Sequence, residues 1–436
     1  MDDDLVELYL LEQEEAEDLR EDEERIQQAA LAGALIYLGA EIHRQEKAAR
    51  RKRLYLIREE LLPNPRTGTP WQQLYSCQND RGFITTMGFD VETFHYILDS
   101  GFRARWNSTP IPRQDQPFPT GAPRLRRRSL DAEGALGLIL HYLSSTMTEI
   151  SLMEIFALIP STVSRYINFA LTILLSVLRR MPESEVRWPI GCEFQEYNDL
   201  VVERHPLLTG AFGTMDGLNL PVQESSNEEI ENATYNGWLH AHMVSSVIAF
   251  GSTGEIIACH LNAPGSWHDA RIARPIYERL RNQTPAGYYL VTDTAFPQGT
   301  ADIQGIKIKA PMKSGARLPH NRQAREQLMD MNNQLLSFRQ TAEWGMRALQ
   351  GSFGRLRVPL DINKNTQRGD LLETVVRLYQ LRVRKVGINQ IRNVYMPTWT
   401  KDDQEYVWKN FERMLFKDQR KADRVARFHL VVVENN

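Results

Sequence analysis

The sequence is poor in cysteine and has no long, uninterrupted apolar run. Its three cysteines, Cys77, Cys192 and Cys259, stand far apart and form no CxxC pair. This distribution argues against a zinc module and against the disulfide framework of a secreted protein. The longest apolar run near the N-terminus, residues 29–40, is too short to span a bilayer, and an acidic rather than a basic segment precedes it. We therefore expect a soluble, intracellular protein without a membrane partner.

The overall composition is ordinary, but the charge is unevenly distributed. With 436 residues, 42% apolar and 25% charged, the chain fits two or three globular domains. The net charge is −3, yet residues 1–25 hold thirteen Asp or Glu and two Arg, a local charge of −11. The remaining residues therefore carry about +8, since −3 minus −11 is +8. A basic remainder is compatible with a nucleic-acid partner.

Residues 1–61 form a segment that is first acidic and then basic and helical. The basic part, Arg44–Arg58, contains seven Lys or Arg residues. Two interpretations are open: a solvated helix face, or a segment for nuclear localisation or phosphate contact. The second agrees with a nuclear location. A Pro- and Gly-containing linker at Leu62–Thr69 marks a boundary.

Residues 81–185 have a helical pattern that resembles a helix-turn-helix DNA-binding region. Three helical pieces are predicted at 132–145, 150–158 and 162–180, with Ser161 as the N-cap of the last. A plain helical hairpin is the alternative. The candidate DNA contacts are a basic cluster and the start of the third helix: Arg124, Arg126, Arg127, Arg128, Ser161, Thr162, Ser164 and Arg165.

From about residue 205 the pattern changes from helical to alternating. A helix capped around Ser266 separates the third and fourth of five predicted strands, and a longer helix begins near Arg322. The strands are predicted at 211–223, 240–250, 255–261, 288–296 and 306–312. This order of strands and helices matches an RNase H-like mixed sheet, in which the first strand lies beside the fourth.

Three acids occupy unusual positions in this pattern. Asp216 lies inside the first strand, Asp293 ends the fourth, and Glu343 lies on the later helix. The Asp216-Gly217 pair is also typical of a turn, and Glu343 also fits a surface salt-bridge triad with its basic neighbours at i−4 and i+4. If the three acids converge, their hard oxygen ligands would bind two divalent cations suited to phosphoryl transfer.

Other polar residues near these acids have weaker signals. His240 and His242 share one strand face, where packing is favoured over a metal pair. Asp269 lies in the first turn of a helix, where the helix dipole alone explains a carboxylate. The basic residues that follow the fourth strand are either a solvated loop or contacts to a phosphate backbone. The backbone-contact candidates are Lys307, Lys309 and Lys313.

Five short blocks resemble the DDE endonuclease domain of PIF/Harbinger transposases, in the style of fungal members. The blocks are Thr214–Gly217, Tyr235–Trp238, Ala263–Asp269, Thr292–Phe296 and Arg339–Arg347, and Gly351–Leu356 continues the match. The resemblance covers about residues 205–360. One departure is Phe296, where many relatives have Tyr.

The resemblance implies an α/β fold with an RNase H-like nuclease domain at 205–360. The amphipathic pattern that follows predicts a helical segment at 361–436 that closes this domain. It implies DNA cleavage and strand transfer at element ends that depend on two Mg²⁺ or Mn²⁺ ions. Asp216, Asp293 and Glu343 carry over as catalytic and metal-binding residues, with His268 and Asp269 as supporting neighbours. Double-stranded DNA, a Myb-like DNA-binding protein and a second copy of the chain are the expected partners.

Two other functions remain open at this stage. The chain could be a host-adopted descendant that binds DNA or chromatin proteins without cutting. It could also be an RNase H-like nuclease for other nucleic acids, which would act on RNA–DNA hybrids.

Overall fold

The strand that carries Asp216 lies in the middle of the sheet. The structure is a computed structural model that describes residues 3–51, 60–61, 64–112, 121–296, 307–313 and 317–395. The chain divides into two units, 1–61 and 62–436. In the first unit the structure describes the helix α1 (Asp3–Arg51), which includes most of the acidic segment.

The second unit begins with seven helices. They are α2 (Pro70–Cys77), α3 (Asp80–Met87), α4 (Val91–Ile97), α5 (Arg103–Ser108), α6 (Ala132–Ser144), α7 (Glu149–Phe156) and α8 (Pro160–Leu178). Asp90 caps α4, because its carboxylate accepts from the Thr93 amide at 2.8 Å. The prediction that Ser161 is the N-cap of α8 is wrong. Ile159 is the N-cap, and Pro160 occupies the first turn of the helix, where its missing N–H costs nothing.

Helix α8 forms the core of this helical region. Val163, Ile167, Ala170 and Leu174 recur at helical spacing and are buried. Within the described residues, α8 is also the one helix that is long and apolar enough to cross a membrane. Of its apolar window, 67% is buried inside the protein, as expected for a core helix, so length and composition are weak indications of a membrane span.

The sheet contains both antiparallel and parallel strand pairs. After α9 (Glu193–Arg204) its elements are β1 (Ala211–Pro221), α10 (Glu228–Thr234), β2 (Tyr235–Asn236), β3 (Ala241–Gly251), β4 (Ile256–Pro264), α11 (Asp269–Ile272), α12 (Arg274–Asn282), β5 (Tyr289–Val291) and β6 (Ile308–Lys309). The strand order is β2-β3-β1-β5-β6, and β4 also pairs with β3. β1, β3 and β4 are three adjacent antiparallel strands, with β3 between the other two.

The predicted neighbourhood of the first and fourth strands is confirmed. β1 and β5 are parallel, with Thr214 opposite Val291. Both β5 and β6 are shorter than predicted, and β6 is the last strand on its side of the described sheet. The sequence did not predict β2, a two-residue strand that pairs Tyr235 with His242.

Two long helices follow the sheet in the described residues. They are α13 (Arg322–Ser352) and α14 (Asn365–Leu381). α13 packs closely on the sheet at Gly345, where an added Cβ would lie 2.6 Å from the Phe250 ring. α14 contacts both β4 and α8, so the helical region and the sheet belong to one compact unit. Residues 396–436 of the closing segment predicted at 361–436 lie outside the described residues.

Candidate active site

The strand register places Asp216 and Asp293 side by side. Thr214 pairs with Val291, and each acid lies two residues beyond its member of that pair. Parallel strands advance equally per residue, so the two acids reach the same level of the sheet. Asp293 lies two residues beyond the end of β5, and its Oδ1 accepts from the Ala295 amide at 2.8 Å in the turn that follows.

Asp216 carries a negative charge that its surroundings compensate poorly. Burial raises its pKa from 3.8 to about 6, against the opposing hydrogen bond from the Gly217 amide, and the nearby Asp293 and Asp269 raise it further. The guanidinium of Arg339 acts in the opposite direction. A strand-centre carboxylate with two acidic neighbours is an arrangement that a bound cation would stabilise.

Gly217 makes room for a fourth acid. A Cβ at this position would lie 2.5 Å from Oδ2 of Asp269, so the Asp269 carboxylate or the strand would have to shift. Asp269 begins α11, and burial raises its pKa, with Asp293 adding to the effect and His268 opposing it. The absence of a side chain at position 217 therefore lets the Asp269 carboxylate lie directly against the Asp216 strand.

Glu343 lies on the helix that packs against β1, but its carboxylate is paired with a cation. Oε1 of Glu343 accepts from the Arg339 guanidinium at 2.8 Å. The same arginine lowers the pKa of Asp216, so it links Glu343 electrostatically to the first acid. The helix is fixed to the strand by Thr341, whose buried hydroxyl lies 2.9 Å from that of Thr214.

Asp216, Asp293 and Asp269 therefore lie near one another where β5 ends, without forming a complete ligand set. In the part of the chain that the structure describes, no group of three or more His, Cys, Asp or Glu side chains is placed to hold a metal ion. Asp216, Asp293 and Asp269 interact with one another, whereas Glu343 interacts first with Arg339.

The two histidines make separate contacts instead of facing a common ion. Nδ1 of His242, on β3, lies 3.2 Å from the Thr234 hydroxyl, and its Nε2 lies 3.5 Å from Glu231. These contacts agree with the predicted packing role for His242. The prediction that His240 shares its strand face is wrong, because His240 lies in the turn before β3 with φ 51°, is exposed, and contacts the Tyr235 hydroxyl at 3.4 Å.

The three candidate lysines differ in how free they are to reach a phosphate. Lys307 donates to the carbonyls of Thr284 and Pro285 at 2.8 and 2.6 Å. The ammonium of Lys309 lies 3.9 Å from the Tyr289 ring centre. Lys313 is exposed. Burial lowers the pKa of both Lys307 and Lys309, which marks them as partly enclosed side chains.

The basic cluster before α6 divides into three surface arginines and one buried one. Arg124, Arg126 and Arg127 are exposed. Arg128 is 6% exposed, donates to the carbonyls of Trp106 and Thr109, and stacks on the Trp106 ring. The predicted DNA contact at Arg128 is therefore corrected, because its guanidinium is used in the core of the helical region.

The start of α8 presents only part of the predicted recognition surface. Ser161 and Arg165 are exposed and Ser164 is half-buried, whereas Thr162 is buried. The prediction of a DNA contact through Thr162 is thus corrected by its position on the inner face. The remaining side chains stay candidates.

The sequence does not reveal how two residues act on the site. The resemblance implies Asp269 as a supporting neighbour, but its approach to Gly217 depends on how α11 meets β1. Arg339 was noted as a salt-bridge partner, but its influence on Asp216 requires the packing of α13 on the sheet. The Asp-Gly pair was the available signal, because a glycine in a strand marks a close approach.

Comparison with known proteins agrees with the assignment of these acids to a nuclease domain. No curated protein and no solved structure shows significant similarity to the chain. Residues 215–380 match the family model described as DDE superfamily endonuclease. The match begins one residue before Asp216 and includes α14, so it reaches beyond the predicted boundary at residue 360. It supports a DDE transposase family and a nuclease domain within this chain.

Proposed function

We propose that the protein is a PIF/Harbinger-type transposase that cleaves and joins double-stranded DNA at transposon ends. The observation that carries the proposal is the juxtaposition of Asp216 on β1 and Asp293 just beyond the end of the parallel neighbour β5, inside the segment that matches the endonuclease family. The mixed sheet with β5 beside β1 supports an RNase H-like fold for this domain.

The chemistry of the donor set fits divalent cations. Carboxylate oxygens are the ligands that Mg²⁺ and Mn²⁺ prefer. Burial first, and then the neighbouring Asp293 and Asp269, raise the pKa of Asp216, and a bound cation would favour its charged form. Asp216 and Asp293 would hold the ions, and Glu343 would complete the set once it leaves Arg339. Two such ions, when bound, activate an attacking water and stabilise a leaving 3′-oxygen.

The chain's own residues supply positioning around these acids. The Thr214–Thr341 contact holds the helix of Glu343 in register with the strand of Asp216. Asp269 adds negative charge beside the site. The exposed Lys313 and the surface arginines of the basic cluster are placed in solvent, where they could contact DNA phosphates. Nuclear localisation, a Myb-like partner and self-association are further parts of the proposal.

A nicking assay on supercoiled plasmid tests the proposed chemistry. We expect the full chain to nick the plasmid with Mn²⁺ or Mg²⁺ and to stop when EDTA is added. Asp216→Asn and Asp293→Asn should each reduce the rate by about 10³-fold or more, because each removes a metal ligand. Asp199→Asn, a change at an exposed acid of α9, is the matched control and should leave the rate unchanged.

Each other outcome identifies a different error. If Asp216→Asn nicks as fast as the unmodified protein, the assigned chemistry is wrong. If the unmodified protein binds plasmid without nicking it under any metal condition, the chain is a DNA-binding descendant rather than a transposase. If it cleaves RNA–DNA hybrids and leaves plasmid intact, it is a nuclease of another substrate class.

A further inference from the structure

Helix α1 carries an apolar stripe at the spacing of a coiled-coil seam. Leu31, Leu35, Leu38 and Ile42 follow one another at intervals of four, three and four residues. All four are exposed, at 64%, 63%, 57% and 53%. This alternation places them on one side of the helix over about 16 Å at 1.5 Å per residue. Four large apolar side chains in a row on a solvated helix indicate a surface that another helix covers.

The charges on either side of the stripe indicate what that other helix is. Residues 22–29 of α1 hold three Asp or Glu and one Arg, a net charge of −2. Residues 44–51 hold four Lys or Arg and one Glu, a net charge of +3. The stripe therefore lies between a negative and a positive flank of the same helix. A partner of complementary charge has the opposite order of flanks, and α1 itself has that order when it is reversed.

We propose that α1 pairs with α1 of a second copy of this chain in an antiparallel arrangement. With Leu31 opposite Ile42 and Leu35 opposite Leu38, the numbers of facing residues sum to 73. Residues 22–29 of one copy then run beside residues 44–51 of the other, at both ends of the pair. A parallel pair would set like charges beside each other at both flanks, which destabilises it.

The pairing of the two α1 helices does not depend on the proposed nuclease function, because Asp216, Asp293 and Glu343 take no part in it. It gives the expected homo-oligomer a defined contact and orientation. Since two heptads bury a small seam, the flanking charges contribute much of the stability, and the pairing should weaken as salt screens them.

Sedimentation equilibrium of the full chain tests the contact. We expect dimers at low ionic strength and at least tenfold weaker association at 1 M salt, where the screening length falls to about 3 Å. Leu35→Glu should weaken association by at least about tenfold, because it buries an unpaired charge opposite Leu38. Tyr37→Glu adds the same charge at a site of similar exposure, 68%, outside the stripe, and should sediment as the unmodified chain.

Cysteine cross-linking tests the orientation, in a chain whose exposed Cys77 and Cys192 are changed to Ser. Leu31→Cys mixed with Ile42→Cys should form a disulfide between the two proteins. Neither variant should cross-link with itself, since equal positions lie about 16 Å apart and a disulfide spans less than about 7 Å between Cα atoms. A monomer at every concentration, a dimer unaffected by Leu35→Glu, or cross-links between equal positions would each overturn the proposal.

Discussion

Two carboxylates of this protein, Asp216 and Glu373, have opposite electrostatic environments. Glu373 on α14 receives a two-point contact from Arg179, with N–O distances of 2.9 and 2.6 Å, and a third from Arg377 at 2.8 Å. These cations, Arg179 foremost, lower its pKa to about 2. Asp216 is more enclosed, has two acidic neighbours, and has a pKa of about 6.

The two environments indicate different roles: Glu373 stabilises the fold, whereas Asp216 is available to bind a ligand. Glu373 joins the end of α8 to α14, so its charge is neutralised by the protein itself. Asp216 has two acidic neighbours, Asp293 and Asp269, and its negative charge is not neutralised in the same way. Strong perturbation of this second kind is typical of functional sites.

The largest expected difference is in nicking rate, between variants of two glutamates that make the same local ion pair. Glu343 pairs with Arg339, and Glu373 with Arg377, each at 2.8 Å and four residues apart. We expect Glu343→Gln to reduce nicking by about 10²–10³-fold, because it removes a metal ligand. Glu373→Gln should change the rate by less than about threefold. Equal rates in both variants would show that Glu343 is a surface salt-bridge residue.

The next effect concerns the space beside Asp216. Gly217→Ala would push the new Cβ against Asp269, and we expect a stability loss of about 1–3 kcal/mol with about 10-fold slower nicking. The double variant Gly217→Ala with Asp269→Ala should recover most of the stability, which urea denaturation would measure. A double variant as unstable as Gly217→Ala alone would contradict the steric explanation.

The third effect is a gain of stability when the Asp216 charge is removed. The pKa of Asp216 is raised in the folded protein, so the unmodified chain loses stability as the pH rises from about 4 to 6 and keeps that loss above 6. Asp216→Asn should therefore be more stable by roughly 2 kcal/mol at pH 8 in EDTA. The gain should disappear near pH 4. Equal denaturation midpoints at pH 8 would contradict the electrostatic account.

The smallest effect has the opposite sign and concerns Glu373. Its pKa is lowered in the folded protein, so its contribution is present above about pH 4.5 and is lost as the pH falls through 2. Arg179 is about half exposed, so solvent screens the pair, and Glu373→Gln should cost about 1 kcal/mol at pH 7. Thermal unfolding would measure the difference, and a variant more stable than the unmodified chain would contradict it.

The sequence predicted the frame of the site better than its details. Alternation of apolar residues located β1, β3 and β4 within a few residues, because each strand has a continuous buried face. β5 is shorter than predicted, and the Asp293 side chain accepts from the Ala295 amide in the turn that follows. Periodicity alone does not reveal such a side-chain contact.

The remaining details depend on contacts between distant residues. The approach of Asp269 to Gly217 joins positions 52 residues apart, since 269 minus 217 is 52. The burial of Arg128 depends on Trp106, whose ring and carbonyl receive its guanidinium. A run of arginines predicts a surface cluster, and only the packing of the neighbouring helix shows which member lies inside.

Binding of Mn²⁺ measured by calorimetry at pH 7.5 tests the central claim most directly, because it needs neither the target DNA nor turnover. We predict that the unmodified chain and Glu373→Gln bind Mn²⁺ equally, and that Asp216→Asn and Asp293→Asn each bind at least tenfold more weakly. Unchanged Mn²⁺ affinity in Asp216→Asn would contradict the assignment of Asp216 as a metal ligand.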